Sequence, residues 1–526
     1  MSSPVSARQA VLVALAFSAI AYLNADTRVD WLDEGYLWCG AINTHMGQVP
    51  IRDFQAYDPG RYYWCAAVFS VLGNGLMALR EAAILFQFFC LSAALLALRR
   101  GVRSVWALVG AGLLLYFWMI VPFRYFDSGI PLVAVFLGVR FLEKTSWKRS
   151  FSCGAWAGLA SFFGVNHGLY LFVGFYALLA YAIAKGAVDD AMKKRIAFGF
   201  GFAAGTLPIL AMLLGVPGFY ESYAEHLMRL GGFLKLGVTN IPLPVPWPWT
   251  FSWQTFGRLY PDIWVRLLGF ANALSIGTAL VLLFLFYVFA FPAVLRVQKG
   301  DIRGRAVFIV PVWIGAVYLH HVFSRAESLH IGEAFFPVIL GVWSLQGAYP
   351  SFNKVLARAL VALVTFVSFL AAGLQSNLLL KNFSYKKNLV RYPVGKELFW
   401  MLKADAAFAR GIQKVVAAHV RPDEPVLLAP LLATFYPMLG KQPPVYEVYF
   451  GHPQTEKIQW RMIRQLEEKK VNWAIIGDQY VDNIDELRLS QTHVLLWRYL
   501  ATNFEILPAP ELQKGYVLAR RKVFLT

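Results

Sequence analysis

The feature of this 526-residue chain that most constrains its fold is a series of long apolar runs between residue 9 and about residue 375. Hydrophobic residues make up 58% of the chain and charged residues only 15%, whereas soluble domains usually carry roughly a quarter charged residues. Many of the runs are long enough to cross roughly 30 Å of hydrocarbon as helices. The first run, Val11 to Asn24, has little before it except Arg8 and no clear small-residue cleavage site. We interpret it as a retained span rather than as a signal peptide that is removed.

The basic residues are clustered in alternate loops. A formal net charge of +18 would suggest a nucleic-acid partner for a soluble protein. Here Lys and Arg gather in short loops near residues 99–103, 144–149, 193–195, 296–305 and 354–358, and they alternate with loops that carry few. This is the positive-inside pattern, which predicts that the basic loops face the cytoplasm. We therefore expect a membrane protein and no nucleic acid among its partners.

Apolar length and charge alternation together predict about eleven membrane-spanning helices, with the N-terminus inside and the C-terminus outside. The predicted spans are residues 9–24, 79–98, 104–121, 128–142, 152–165, 168–184, 196–215, 265–291, 306–320, 331–347 and 356–375. The segment 61–76 is also apolar, but it is short and ends at Asn74-Gly75. We expect it to lie at the membrane interface, because a twelfth span would reverse the side of every basic loop that follows.

Composition divides the chain into two parts. Residues 1–380 form the predicted membrane module, with a first outward loop at 25–78 and a long outward loop, rich in aromatics and proline, at 216–263. Residues 395–526 are polar enough to fold in water, and in them apolar runs of strand length alternate with helical patterns. We predict a polytopic α-helical membrane protein with a C-terminal extracytoplasmic α/β domain. That domain has no Gly-rich phosphate loop, so its sequence does not support nucleotide binding.

The four cysteines show no metal-ligand spacing. Cys39 and Cys65 fall in the first outward loop and its following helix, where an oxidising compartment would permit a disulfide. An equally good interpretation is that they are two small apolar side chains.

Charged and hydrogen-bonding residues gather in the predicted outward loops. The adjacent pair Asp33-Glu34 follows the first span. The further ones include Arg61, Arg124, Asp127, Asn166, His167, Arg325, Glu327 and His330. Adjacent carboxylates beside a bilayer are costly unless they are solvated or functional. Their convergence on one side predicts acid/base or metal chemistry on a lipid-borne substrate.

Each of these residues also has a purely structural interpretation. Asp33 and Glu34 could cap a helix that begins near Gly35, because carboxylates are favoured at helix N-termini. His167 could be hydrogen-bonded to a neighbouring helix. The Arg325, Glu327 and His330 group could be an ordinary ion-pair cluster at a helix start. The residues alone leave these alternatives open.

Three short motifs suggest a family. They are Leu32-Asp33-Glu34-Gly35 after the first span, Tyr57-Asp58-Pro59-Gly60-Arg61-Tyr62-Tyr63 at the start of an apolar helix, and Ser324-Arg325-Ala326-Glu327-Ser328-Leu329-His330 in a late outward turn. Together with the layout of the chain they resemble the GT-C membrane glycosyltransferases, the group that includes protein mannosyltransferases and the aminoarabinose and oligosaccharyl transferases. Related bacterial members commonly have Asp where this chain has Glu327.

The resemblance implies that a sugar moves, with inversion, from a polyprenyl-phosphate carrier to a glycan, lipid or protein acceptor outside the cytoplasmic (inner) membrane of a bacterium. It implies that Asp33 is the general base and Glu34 its helper. The substrate-binding residues that it implies are Arg61, Asp127, Asn166, His167, Arg325, Glu327 and His330. A divalent cation, Mg²⁺ or Mn²⁺, is an optional cofactor, and its candidate ligands are Glu34, Glu327 and His330.

A transporter or flippase of a lipid-linked envelope precursor is the main alternative. Transporters concentrate polar groups near the bilayer midplane at broken helices, often in repeated halves. Here the charges gather at one predicted rim and a folded outer domain follows, which favours an enzyme. A catalytically inactive scaffold of an envelope-assembly complex is a third class.

Overall fold

The computed structural model describes residues 5–235, 242–254, 263–381 and 388–522. The chain forms two compact units. One, here called the helical unit, comprises residues 1–25 and 81–384, and the other, the mixed unit, comprises residues 26–80 and 385–526.

Most of the chain is helical. The main helices, in chain order, are α1 (Ala7–Leu23), α2 (Asp33–His45), α3 (Pro59–Leu72), α4 (Leu76–Leu98), α5 (Val105–Trp118), α6 (Tyr125–Glu143), α7 (Trp147–Phe163), α8 (Val165–Ala184), α9 (Ala191–Gly205), α10 (Leu207–Gly215), α11 (Phe219–Lys235), α12 (Ile263–Leu295), α13 (Ala306–Ser324), α14 (Ser328–Ala334), α15 (Phe336–Ala348), α16 (Lys354–Ala371), α17 (Lys403–His419), α18 (Glu456–Glu468) and α19 (Val494–Asn503). The strands are β1 (Leu389–Val394), β2 (Glu397–Leu402), β3 (Val426–Ala429), β4 (Trp473–Gly477), β5 (Phe504–Leu507) and β6 (Tyr516–Arg521).

Local sequence signals account for several helix ends. Ser6 and Gln9 form a capping box at the start of α1, in which each side chain accepts a hydrogen bond from the backbone N–H of the other residue. Ser104, Ser146 and Asn353 accept backbone N–H groups in the same way at the starts of α5, α7 and α16. These caps satisfy donors that the first turn of a helix leaves unpaired.

Within the described residues, six helices are long and apolar enough to cross a membrane, and the number rises to eight if each of two bent pairs is one span. The bent pairs are α9 with α10, at 47°, and α14 with α15, at 42°. All eleven predicted spans are helical, but α1, α5 and α7 have only 17, 14 and 17 residues. The multi-span helical architecture is thus confirmed, whereas the count of eleven stays a prediction.

Close helix packing in the helical unit uses small residues. Gly154 and Gly158 of α7 face α9, where an added Cβ at Gly154 would overlap the carbonyl oxygen of Phe198. Gly201 and Gly205 of α9 approach the backbone of α7 just as closely. Such spacing of small residues lets two membrane helices approach backbone to backbone.

The mixed unit contains a four-stranded sheet in the order β3-β4-β6-β5, and a separate β1-β2 hairpin. Strands β3 and β4 are parallel, whereas β6 pairs antiparallel with both β4 and β5. Side chains of β3, β4, α18 and α19 form the apolar core, which includes Leu427, Met462, Ile476 and Leu496. A C-terminal α/β region is therefore confirmed, and it begins with β1 at Leu389. Its extracytoplasmic location stays a prediction.

The first loop of the chain folds with this C-terminal region. The backbone N–H of Arg28 donates to the carbonyl of Trp400 at 2.8 Å, and the N–H of Trp400 donates to Asp26 at 2.7 Å. The hydroxyl of Tyr446 donates to the carbonyl of Ile51 at 2.8 Å. The sequence-based division placed residues 25–78 in the membrane module. In the structure residues 26–80 belong to one compact unit with 385–526, because these contacts link positions that are hundreds of residues apart.

The segment 216–263, predicted to be a long loop, contains α11, and residues 236–241 and 255–262 of it lie outside the described residues. Its proline-rich stretch, before α12, stacks Trp247 on Trp249 with ring centroids 5.3 Å apart.

Cys39 and Cys65 are separate, buried thiols. The Sγ of Cys39 lies 3.1 Å from the carbonyl oxygen of Ala433. Burial raises the pKa of both thiols, that of Cys65 to about 12. The structure thus matches the interpretation of these residues as small buried side chains.

Candidate functional site

The acidic pair occupies the first turn of α2 in the mixed unit. The helix begins at Asp33, and its N-terminal donors are satisfied by Asp30. The Oδ1 of Asp30 accepts hydrogen bonds from the N–H groups of Leu32 at 2.9 Å, Asp33 at 2.6 Å and Glu34 at 3.4 Å. The side chain that caps this helix is therefore that of Asp30. The Asp33 and Glu34 carboxylates remain favoured there because they face the positive end of the helix dipole.

Glu34 and Arg80 form a buried bidentate ion pair within the mixed unit. Arg80 Nε lies 2.7 Å from Glu34 Oε1 and Arg80 Nη2 lies 2.6 Å from Glu34 Oε2. The whole Glu34 residue is 1% exposed and Arg80 is 2% exposed. The two parallel hydrogen bonds offset the cost of burying both groups. The sequence predicts Glu34 as the helper of Asp33 and as a candidate cation ligand, and Arg80, at the start of an apolar run, is not among the predicted site residues.

Arg61 lies in the first turn of α3, is 8% exposed, and its guanidinium carbon is 5.1 Å from the ring centroid of Tyr57. Tyr57 meets the edge of Tyr36 at 4.7 Å, and Tyr36 also contacts Tyr449 at 5.5 Å. A cation over an aromatic face is attracted by the ring quadrupole. The mixed unit therefore holds three predicted site residues, Asp33, Glu34 and Arg61.

In the helical unit, His167 joins two neighbouring helices. Its Nε2 lies 3.0 Å from Asp127 Oδ1 on α6, and its Nδ1 lies 3.0 Å from the hydroxyl of Tyr318 on α13. His167 and Tyr318 are fully buried and Asp127 is 5% exposed. His167 thus contacts side chains of two neighbouring helices, one a carboxylate and the other a phenol. Its role in substrate binding stays a prediction. Asn166, which precedes it in the first turn of α8, is partly exposed.

The late turn forms an ion-pair cluster at the start of α14. Glu327 Oε1 lies 2.8 Å from His330 Nδ1 and 3.1 Å from Arg325 Nε. Burial by itself raises the pKa of Glu327. The hydrogen bond from His330 and the charges of His330, Arg325 and Arg124 outweigh that effect and lower it to about 2. Glu327 is therefore ionised at neutral pH, as required of a group that orients cations.

Two residues that sequence analysis missed complete this cluster. Glu333 is fully buried, with its Oε2 2.8 Å from His321 Nδ1 and its Oε1 3.5 Å from Arg124 Nη1. These distances are those of ion pairs, although the groups are not aligned as regular hydrogen bonds. The rings of His321 and His330 are 4.9 Å apart. Both missed residues lie inside apolar runs, and an ionisable residue in such a run is a signal for function.

The structure thus brings together five predicted residues at one end of α6, α8, α13 and α14, and adds others from the same helices. The predicted site residues are Asp127, His167, Arg325, Glu327 and His330. Arg124, which the sequence analysis placed in the same outward turn as Asp127, joins them, and so do Tyr318, His321 and Glu333. We call this set the buried polar cluster. It combines guanidinium, imidazole and carboxylate groups in an environment of low accessibility, where such groups can bind an oxyanion or exchange protons.

Each of the residues predicted to bind a divalent cation has another partner within its own unit. Among the described ranges, no group of three or more His, Cys, Asp or Glu residues is arranged to hold a metal ion. Glu34 is bound to Arg80, and Glu327 and His330 contact each other.

Fold and site define a multi-span helical membrane protein with a folded α/β region and a buried polar cluster. No protein-family model matches the chain, and neither does any curated protein.

Solved structures do match. ArnT from Cupriavidus metallidurans, bound to undecaprenyl phosphate, aligns over 98% of this chain and 98% of its own, with 12% identity and a TM-score of 0.41. The Archaeoglobus fulgidus oligosaccharyltransferase in complex with Zn and sulfate aligns over 96% of this chain and 72% of its own, with 10% identity and a TM-score of 0.46. Both are GT-C membrane glycosyltransferases, the group that the sequence motifs resemble. TM-scores below 0.5 leave the activity of this chain to be decided from its own residues.

Proposed function

We propose that this protein is an inverting membrane glycosyltransferase, which moves a sugar from a polyprenyl-phosphate carrier to a cell-envelope acceptor on the extracytoplasmic face. The observation that carries the proposal is the buried polar cluster. Ionisable groups are expensive inside an apolar helical unit, and they usually mark a substrate path or a reaction centre.

The cluster lies at the end of its helices opposite the basic loops. It is formed at the N-terminal ends of α6 and α8 and at the C-terminal end of α13. The basic loop 144–149 follows the C-terminal end of α6. Since basic loops favour the cytoplasm, this arrangement supports an extracytoplasmic site.

The proposed reaction forms one bond and breaks one. The oxygen of an acceptor hydroxyl attacks the anomeric carbon, and the bond between that carbon and the carrier phosphate oxygen breaks as the new glycosidic bond forms. The acceptor proton goes to a carboxylate base, and the electron pair of the broken bond stays on the carrier phosphate. Attack opposite the leaving group inverts the anomeric configuration.

Two needs follow from this chemistry, a base and cations for the leaving phosphate. We assign Asp33 as the base, since it is partly exposed while its neighbour Glu34 is buried against Arg80. Arg124 and Arg325 are the proposed phosphate ligands, because guanidinium binds phosphate oxygens in a bidentate manner.

The remaining polar residues complete the proposed roles. Glu327 and Glu333 orient the two arginines, and His330 and His167 with Asp127 supply further hydrogen bonds to phosphate or sugar hydroxyls. Arg61 and Asn166 are additional substrate-binding candidates. Glu34 supports Asp33 without contacting substrate. The carrier part of the proposed donor is of the same chemical kind as the undecaprenyl phosphate bound by ArnT and the dolichol phosphate bound by the archaeal oligosaccharyltransferase.

The deciding experiment uses the purified full chain in lipid nanodiscs, with a labelled polyprenyl-phosphate hexose or pentose and an envelope extract as acceptor source. We expect label transfer, a product of inverted anomeric configuration by NMR, and a loss of turnover of about a hundredfold or more in Asp33→Asn. Donor binding should persist in this variant. Asp485→Asn, which changes a carboxylate on an exposed surface of the mixed unit, is the matched control.

Each alternative outcome has a defined meaning. Normal turnover in Asp33→Asn would remove the base assignment. Movement of the donor across vesicle membranes without product would establish a flippase instead. Loss of turnover on adding EDTA, with recovery on adding Mg²⁺ or Mn²⁺, would establish the predicted cation as a cofactor.

A further inference from the structure

We propose that Arg80 is a positioning residue that holds Asp33 in place through Glu34, and that Thr434 of the α/β region holds the same turn from a second direction. The inference rests on the proposed function of Asp33 as the base. All the residues involved belong to the mixed unit.

Arg80 ties together the two ends of the segment that leads into α2. Its guanidinium binds both oxygens of Glu34. The same group donates to the carbonyl oxygen of Thr27 at 3.1 Å and to that of Arg28 at 2.6 Å. A rigid guanidinium that makes four hydrogen bonds fixes the entry of the chain into α2 with little freedom left to its partners.

Arg80 is itself anchored. It lies one turn into α4, after a first turn in which the N–H of Met77 donates to Glu397 Oε2 at 3.0 Å. The turn before α4 is bound to α2, because the indole N–H of Trp38 donates to the carbonyl oxygen of Asn74 at 2.8 Å. The segment just before Arg80 is therefore bound to β2 through Met77 and to α2 through Asn74.

Thr434 secures the turn from the α/β region. Its hydroxyl donates to the carbonyl oxygen of Asp30 at 2.7 Å, and its backbone N–H donates to that of Trp31 at 3.2 Å. The ring of Trp31 stacks on Phe435 with centroids 4.9 Å apart and an interplanar angle of 16°. The loop after β3 is thus hydrogen-bonded to Asp30, which caps α2, and to its neighbour Trp31.

Because Glu34 and the turn before α2 are held in place, the backbone position of Asp33 is held as well. Adjacent residues of a helix project in directions roughly 100° apart, so Glu34 can be buried on Arg80 while Asp33 reaches the surface of the same turn. Arg80 occupies both carboxylate oxygens of Glu34, so that Asp33, rather than Glu34, is the carboxylate we assign to the proton transfer. A misplacement of about 1 Å in a reacting group can cost a hundredfold in rate.

The test compares Arg80→Gln with Arg80→Lys, and Thr434→Val with Thr434→Ser, all in the full chain. Thr434→Val keeps the shape of the side chain and removes the hydroxyl donor, and Thr434→Ser restores it. Arg520→Gln, which breaks an exposed ion pair with Glu505 in the same unit, is the control. The readouts are kcat and KM for transfer, and hydrogen–deuterium exchange of the peptide that covers residues 30–36.

We expect Arg80→Gln to lower kcat about a hundredfold with KM for the donor little changed, and Thr434→Val to lower it about tenfold. Exchange at 30–36 should rise in both, while the core strands β3 and β4 stay protected. Thr434→Ser should recover most of the activity, and Arg80→Lys only part of it, because lysine cannot bind a carboxylate in a bidentate manner.

Wild-type kcat and unchanged exchange in Arg80→Gln would overturn the inference. If Arg80→Gln unfolds the whole unit, so that exchange rises everywhere, Thr434→Val decides the matter by itself. If the wild-type protein transfers no sugar, the proposed function fails. The exchange data then still show whether Arg80 and Thr434 hold the turn of α2.

Discussion

His167 Nε2 lies 3.0 Å from Asp127 Oδ1, across two helices of the helical unit, and both side chains are buried. Replacing Asp127 by Ala removes this partner from an imidazole that has no access to water. We expect a loss of about 1–3 kcal/mol in the free energy of unfolding, and a smaller loss for Asp127→Asn, which keeps one acceptor. Thermal unfolding of the wild type and the two variants in detergent measures this loss of stability. Asp301→Asn, at a carboxylate that is 49% exposed and pairs with the partly exposed Arg305, should change little, and an equal effect of the two changes would contradict the prediction.

Glu327 should make stability depend on pH in acid. Its pKa in the folded state is lowered from 4.5 to about 2, so the folded protein favours the ionised form. Its contribution is fully present above pH 4.5 and is lost as the pH falls through about 2. The full effect is about 3 kcal/mol at most. We expect the unfolding temperature to fall below pH 4.5 in the wild type and to fall less steeply in Glu327→Gln. Parallel pH profiles of the two proteins would show that Glu327 is not the responsible group.

Gly35 should tolerate no side chain. An added Cβ would overlap the side chain and the backbone of Thr434. Because one of the obstacles is backbone, the turn of α2 would have to move away from the loop after β3. We expect Gly35→Ala to destabilise the mixed unit by about 1–3 kcal/mol and to abolish most of the transfer activity. Gly199→Ala in α9, where an added Cβ meets nothing within 4 Å, should be neutral or slightly stabilising. A stable and active Gly35→Ala variant would refute the close approach.

Glu447 and His493 form a fully buried pair in the mixed unit, with Glu447 Oε2 3.1 Å from His493 Nε2. Gln55 of the first loop donates to the other oxygen of Glu447 at 2.8 Å. Replacing one partner of a buried pair costs about 3 kcal/mol or more, so we expect Glu447→Leu to destabilise the mixed unit strongly and to loosen the first loop. Limited proteolysis between residues 46 and 57, together with denaturant unfolding, measures both effects. If Glu447→Leu resists the protease as well as Arg520→Gln does, the Glu447–His493 pair does not hold the first loop in place.

Several parts of the fold could be predicted from the sequence because they depend on local patterns. Apolar runs of span length became helices at all eleven predicted positions, since a backbone in hydrocarbon must satisfy its own hydrogen bonds. The alternation of strand-length and helical patterns after residue 395 became the α/β region. The acidic pair lies at a helix start, although Asp30 rather than the pair provides the capping oxygen.

Other parts could not be predicted from one sequence. The grouping of residues 26–80 with the C-terminal region depends on contacts such as that of Gln55 with Glu447, between residues 392 positions apart. Glu333 and His321 lie inside apolar runs. The spacing of apolar residues in such a run predicts a helix, but it does not predict which polar side chains of different helices contact each other. Arg80 is the same kind of case, because at the start of an apolar helix an arginine is usually an interfacial anchor.

The sequence by itself determined that this chain spans a membrane, that it carries a separate α/β region, and that Asp33 is the carboxylate to examine first. These conclusions follow from composition, periodicity and short motifs, which are properties of neighbouring residues. Only the tertiary structure decided that Glu34 is paired with Arg80 and that Thr434 binds the turn before Asp33. Such pairings depend on the free energy of bringing charges and hydrogen-bond donors from distant parts of the chain together in the protein interior. The pattern of neighbouring residues does not predict that free energy.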